Sequence, residues 1–179
     1  MSLSAPVPLR TAHPGTDREK SIVHNQVVCD PQGMAIVDDM VCFSLYAATR
    51  ATTRAYTDLL APWGLTYPQY LVLVVLWTDG PHSVRELGEL LHLDSGTLSP
   101  LLRRMEEKAL ITRARDSDDH RVVTVAPSTR AAELRTELGH VPAAIAQATG
   151  LPDEAAAREL IDTLRRLATA MEERTPMTA

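Results

Sequence analysis

Between Ser83 and Val125 the hydrophobic period changes from helical to alternating, with only short connections on the way. Ser83 with Glu86 three residues later has the spacing of a capping box, in which a hydroxyl and a carboxylate satisfy orphan amides at a helix start. Leu87, Leu90 and Leu91 then supply the buried edge of a short helix. His92, Leu93 and Asp94 make a tight connection. A second helix begins from Asp94 or Ser95, with Leu98, Leu101, Leu102, Met105 and Ala109 as its apolar stripe. Leu110 to Arg115 alternates, Asp116 to His120 is a polar turn, and Arg121 to Val125 alternates again around β-branched residues. Two short helices closely joined, then a hairpin with a charged tip, predict a helix-turn-helix followed by a wing.

Helical spacing also frames this segment. From Asp38 to Leu60, the residues Cys42, Leu45, Tyr46, Thr49, Thr53, Tyr56 and Leu60 form one stripe, with Asp38 or Asp39 suited to the helix start and Pro62 and Gly64 to its end. Thr66 can cap the next helix with Pro68 in its first turn, and Tyr70 to Trp77 is apolar nearly all round, as in a central helix. Beyond Pro127, helices are expected over Ser128–Leu138 and Ala143–Thr149. A last helix carries Ala157, Leu160, Ile161, Leu164, Leu167, Ala168 and Met171 in a stripe. That stripe has little chain left to cover it, so pairing with a second copy is the expected use. The fold class expected is therefore mainly α with a small β-hairpin wing, a winged helix-turn-helix that is dimeric through its N- and C-terminal helices. Residues 1–34, rich in Pro, Ser, Thr, His and charge, read as a mobile tail. Residues 35–179 read as one domain, with the winged lobe at 62–126 and dimerisation helices at 35–61 and 127–174.

The opening residues lack a continuous apolar stretch of the exported kind, and Leu71 to Trp77 is far shorter than the roughly 20 residues a membrane span needs. Cys29 and Cys42 make no disulfide framework. A cytoplasmic protein without membrane association is the expectation. The histidines are scattered without ligand spacing, so neither a metal nor another cofactor is expected. The net charge of −5 gives no global reason to bind nucleic acid, and a DNA reader of this composition must gather its cations on one surface. Between Ser95 and Arg115 five basic residues stand against Glu106 and Glu107. Opposite the Leu98, Leu101 and Met105 stripe lie Ser95, Thr97, Ser99, Arg103 and Arg104, and Arg113, Arg115 and Arg121 extend that surface along the wing. Hydroxyls there can bond bases or phosphates, and guanidiniums can reach phosphate or a guanine edge. A plain solvated face, with Arg103, Arg104 and Lys108 set against Glu106 and Glu107, is the alternative.

The segments VCFSLYAATR, LTYPQYLVLVVLW, LDSGTLSPLLRRMEEKALITR and RDSDDHR, spread over about Val41 to Val125, resemble the MarR family of regulators, and within it the organic hydroperoxide-sensing branch. The resemblance implies a homodimer on a double-stranded DNA operator, a repressor rather than an enzyme. It implies a wing-tip arginine in the minor groove, here Arg121, oriented by Asp119. It also implies a sensor cysteine, at Cys42, hydrogen-bonded by two tyrosines, at Tyr56 and Tyr67, with an organic hydroperoxide as the signal. Peroxide chemistry requires a thiolate, and a helix start favours one. Cys42 and Tyr56 are 14 residues apart on one expected helix, about 21 Å along its axis, so Tyr56 must come from the partner subunit if the two meet. Relatives that resolve the oxidised sensor through a second cysteine carry it near the C-terminal helices, where this chain has none. Either a small external thiol caps Cys42 or Cys29 reaches it. Three alternatives remain: an inert packing thiol at Cys42, a regulator controlled by a small aromatic ligand, and a thiol peroxidase.

Overall fold

The computed structural model describes residues 40–115 and 122–174. Cys29, Asp38, Asp39, Asp119 and Arg121 lie outside them, as do the expected tail and wing tip. The chain divides into two units after Ser44, and of the first only Met40–Ser44 are described.

Helix α1 (Val41–Leu60) is continuous and ends where Pro62 and Gly64 demand it. A single 3₁₀ turn, Ala61–Trp63, closes on Gly64, whose φ of 60° is the left-handed conformation that glycine adopts without steric cost. In α2 (Tyr67–Asp79) the Gln69 side chain accepts the Thr66 N–H at 3.1 Å, and Val72, Leu73 and Leu76 are buried. The helix-turn-helix follows as α3 (Val84–Leu91) and α4 (Ser95–Glu107). Ser83 and Glu86 form the expected capping box, with Glu86 Oε2 accepting the Ser83 N–H at 2.7 Å and Ser83 Oγ accepting the Glu86 N–H at 3.2 Å. These bonds hold the Glu86 carboxyl below the usual carboxylate range. Asp94 rather than Ser95 caps α4.

Strands β2 (Ile111–Arg115) and β3 (Val123–Pro127) pair antiparallel, Ile111 opposite Pro127 and Arg115 opposite Val123. A third strand, β1 (His82–Ser83), adds to β3 on its other side and makes a three-stranded sheet in the order β1-β3-β2. Two residues carry no alternation, so β1 has no signature in the sequence; it exists because α3 starts beside β3. Helices α5 (Thr129–Glu137), α6 (Val141–Ala148) and α7 (Glu154–Arg174) follow.

The core lies in the winged lobe and its flanks. Leu60, Leu73, Leu87, Leu98, Leu102, Met105, Val125 and Val141 are fully buried. At roughly 1.5–3 kcal/mol for each large apolar side chain removed from water, this cluster is the main driving force for the lobe. Two expected core residues are elsewhere. Leu90 is 52% exposed, because a helix of two turns presents only one line of side chains inward and Leu87 occupies it. Ala109 is exposed and outside α4, at a φ of 54°, where the chain turns toward β2. Pro100 sits inside α4, which forgoes the bond from that position to the Gly96 carbonyl. No described helix is by itself long and apolar enough to cross a membrane.

Candidate nucleic-acid interface and sensor residues

Burial of Leu98, Leu101, Leu102 and Met105 fixes the rotation of α4, and its opposite face is left in solvent. Ser95, Thr97, Ser99, Arg103 and Arg104 are all exposed on it, where the sequence placed them. Asp94 holds the start of this face: its Oδ1 accepts the Thr97 N–H at 2.9 Å and its Oδ2 accepts the Thr97 hydroxyl at 3.0 Å. Those bonds hold the Asp94 carboxyl below its ordinary range. They also engage the Thr97 hydroxyl hydrogen, so that this hydroxyl has only its oxygen lone pairs left to offer. Between α3, the first half of α4 and the sheet runs a cleft of about 930 Å³, lined among others by Val84, Arg85, Ser95, Ser99, Arg113 and Val123.

The cations divide into kinds that the sequence did not distinguish. Arg113 Nε lies 3.3 Å from Glu106 Oε2, and Arg103 Nε lies 3.8 Å from Glu107 Oε1. Both pairs are solvent-exposed, a class worth about 0–1 kcal/mol, so either guanidinium is readily surrendered to a phosphate. Arg104 and Arg115 have no ion-pair partner among the described residues. Lys108 points elsewhere: its Nζ donates to the Gly64 carbonyl at 2.7 Å. It therefore leaves the solvated face to which its position in the sequence assigned it.

Cys42 is exposed in the first turn of α1, where backbone N–H groups have no intrahelical partner. No break interrupts α1 between Cys42 and Tyr56. Tyr56 and Tyr67, eleven residues apart in the chain, are brought together by the turn between α1 and α2. Their rings stack at 4.0 Å between centroids with 17° between planes. Tyr70 lies 5.7 Å from Tyr56 and Trp77 lies 6.3 Å from Tyr70, edge to face. Burial, and then the neighbouring phenols of Tyr67 and Tyr70, push the Tyr56 hydroxyl up to about 12. The aromatic row was missed because α2 is apolar on every side and its periodicity singles out no face. The spacing of Tyr67, Tyr70 and Trp77 at three and seven residues was the available signal. No cluster of metal-ligating side chains is present among the described residues.

A model of the MarR family matches residues 65–123, the span from the start of α2 to the start of β3. The HTH-type transcriptional regulator TtmR of Methylorubrum extorquens is 43% identical over 146 residues, 81% of this chain and 72% of the relative. The chain belongs to the MarR family. An organic hydroperoxide resistance transcriptional regulator of Bacillus subtilis is 42% identical over 109 residues, 61% of this chain and 74% of the relative. Among solved structures, reduced AbfR of Staphylococcus epidermidis bound to DNA aligns with a TM-score of 0.60 at 30% identity, covering 74% of this chain and 94% of that one. These MarR relatives are transcriptional regulators, not enzymes, and the winged helix that they share with this chain is a DNA-binding fold.

Proposed function

We propose that this MarR protein is a homodimeric repressor that reads a double-stranded DNA operator through α4 and leaves it when an organic hydroperoxide oxidises Cys42. The observation that carries the sensing part is the Tyr56–Tyr67 stack, a pair of phenols assembled from two helices. The hydroperoxide resistance regulator at 42% identity supports the same reading. In the reading proposed, the phenols that serve Cys42 come from the partner subunit.

On the DNA side of the same reading, Ser95, Thr97 and Ser99 approach bases and phosphates near the start of α4. Arg103, Arg104 and Arg113 hold the backbone, and Arg121 enters the minor groove oriented by Asp119. The dimer forms through the faces of α1 and α7 that one chain leaves in solvent, including Phe43, Tyr46, Leu160, Ile161 and Leu164. Along α1, Thr49, Thr53 and Thr57 each donate their hydroxyl to a carbonyl one turn earlier, which turns their donors away from that face.

The chemical step is a two-electron oxidation. The Cys42 thiolate attacks one peroxide oxygen, an S–O bond forms and the O–O bond breaks. The alkoxide leaves and takes up a proton to become the alcohol, and sulfur is left as sulfenic acid. A small external thiol then caps it, with release of water. Loss of the tyrosine contacts shifts one DNA-binding lobe against the other.

Binding to DNA from upstream of the protein's own gene, followed by fluorescence anisotropy, tests this. Reduced protein should bind, protein treated with cumene hydroperoxide should bind at least about tenfold more weakly (about 1.4 kcal/mol), and treated Cys42→Ser should bind as before. Equal release of Cys42→Ser would remove Cys42 from the switch. Binding that ignores peroxide in the wild type would end the sensing proposal and leave a DNA reader, and no binding would end both.

A further inference from the structure

The turn from Ala61 to Leu65 joins the two helices that carry the stacked tyrosines. Tyr56 sits one helical turn before Leu60, and Tyr67 opens α2 three residues after Gly64. The turn is anchored below by Leu60 and Leu65, both buried. Two side chains from other elements grip its outer side. Lys108, at the C-terminal end of α4, donates its Nζ to the Gly64 carbonyl at 2.7 Å. Glu137, in the last turn of α5, accepts the Trp63 indole N–H at 2.6 Å.

Lys108 is well placed to carry a movement into α4. Its own backbone N–H bonds the Arg104 carbonyl at 3.2 Å, so it is rigidly part of the helix end. The Gly64 carbonyl it holds belongs to the residue that closes the turn between the two helices, at a φ of 60°. A displacement of the Tyr56–Tyr67 stack changes the angle between α1 and α2 and so moves this carbonyl. An ammonium bonded to a carbonyl is a charge-assisted contact, stronger than an ordinary one.

We propose that Lys108 is a positioning residue for DNA reading, a strut through which the α1–α2 joint and its Tyr56–Tyr67 stack set the attitude of the recognition helix α4. The inference deepens the sensing reading given above, but it makes its own claim about the reduced protein. A lysine at the end of a recognition helix would ordinarily be taken for a phosphate contact; here the ammonium is directed at the backbone of the turn.

A double-mutant cycle on the full-length reduced protein tests the strut, with operator affinity measured for Lys108→Met, Tyr67→Ala and the two combined. Coupling through Lys108 predicts that the double variant departs from the product of the single effects by about threefold or more. Additive effects overturn the proposal. The salt dependence of binding separates the two roles of a lysine. A strut leaves the slope of log affinity against log salt unchanged in Lys108→Met, whereas loss of a phosphate contact lowers it by about 0.9, and that result also overturns the proposal. Should Tyr67→Ala fail to fold, Tyr67→Leu takes its place in the cycle. No arm requires peroxide, so a wild type blind to peroxide would end the sensing reading and leave this test standing.

Discussion

Helix α4 buries four apolar side chains in 13 residues, whereas α7, at 21 residues, buries none among its described side chains. Both carry a helical apolar stripe in sequence. In α4 the stripe meets α3 and the sheet, and each large side chain on it finds its contacts inside one chain. In α7 Leu160, Ile161, Leu164 and Met171 remain 41–54% exposed, and α1 buries only Leu60 at its end. Equal amphipathicity thus has two outcomes: the lobe is complete within the chain, and the long helices keep an apolar face in solvent, which a second copy covers in the dimer proposed. A periodic stripe states that a face will be covered and is silent on which chain covers it.

Truncation at the two sites should therefore differ in kind. Leu102→Ala, inside the lobe, is expected to destabilise the chain by about 2–5 kcal/mol in denaturant unfolding, since its fully buried position leaves a cavity. A loss under about 1 kcal/mol would mean that the lobe repacks freely and that the contrast with α7 is false. Leu164→Asp should leave the lobe's structure, followed by circular dichroism, intact and convert the protein to a monomer in sedimentation. Operator affinity should then fall by on the order of 100-fold, as the second half-site is no longer tethered. A variant that stays dimeric would show that α7 is not the pairing face.

The smallest effect concerns the seam where α1 meets the lobe. Tyr56 keeps its proton up to about 12 in the folded chain against 10.0 for an ordinary tyrosine. The neutral phenol's contribution is thus complete below pH 10 and is lost as pH rises through about 12. Stability of the wild type should fall over that window, and Tyr56→Phe should fall less. Equal loss in both would place the alkaline sensitivity elsewhere.

Much of this molecule is decided locally. Pro62 and Gly64 stop α1, Ser83 with Glu86 starts α3, and the switch to alternation at Leu110 starts the hairpin, because each depends on neighbours within four residues. Cys42 at a helix start and the hydroxyl and guanidinium face of α4 were legible for the same reason. The tertiary structure alone decided which groups engage one another across the chain. Strand β1 forms only because β3 has a free edge beside it. Lys108 turns to a carbonyl 44 residues away, Trp63 to a carboxylate 74 residues away, and Tyr56 stacks on Tyr67 across a turn. Spacing along a helix reports the direction in which a side chain leaves the backbone. The partner waiting there is set by chain packing, which no local pattern encodes.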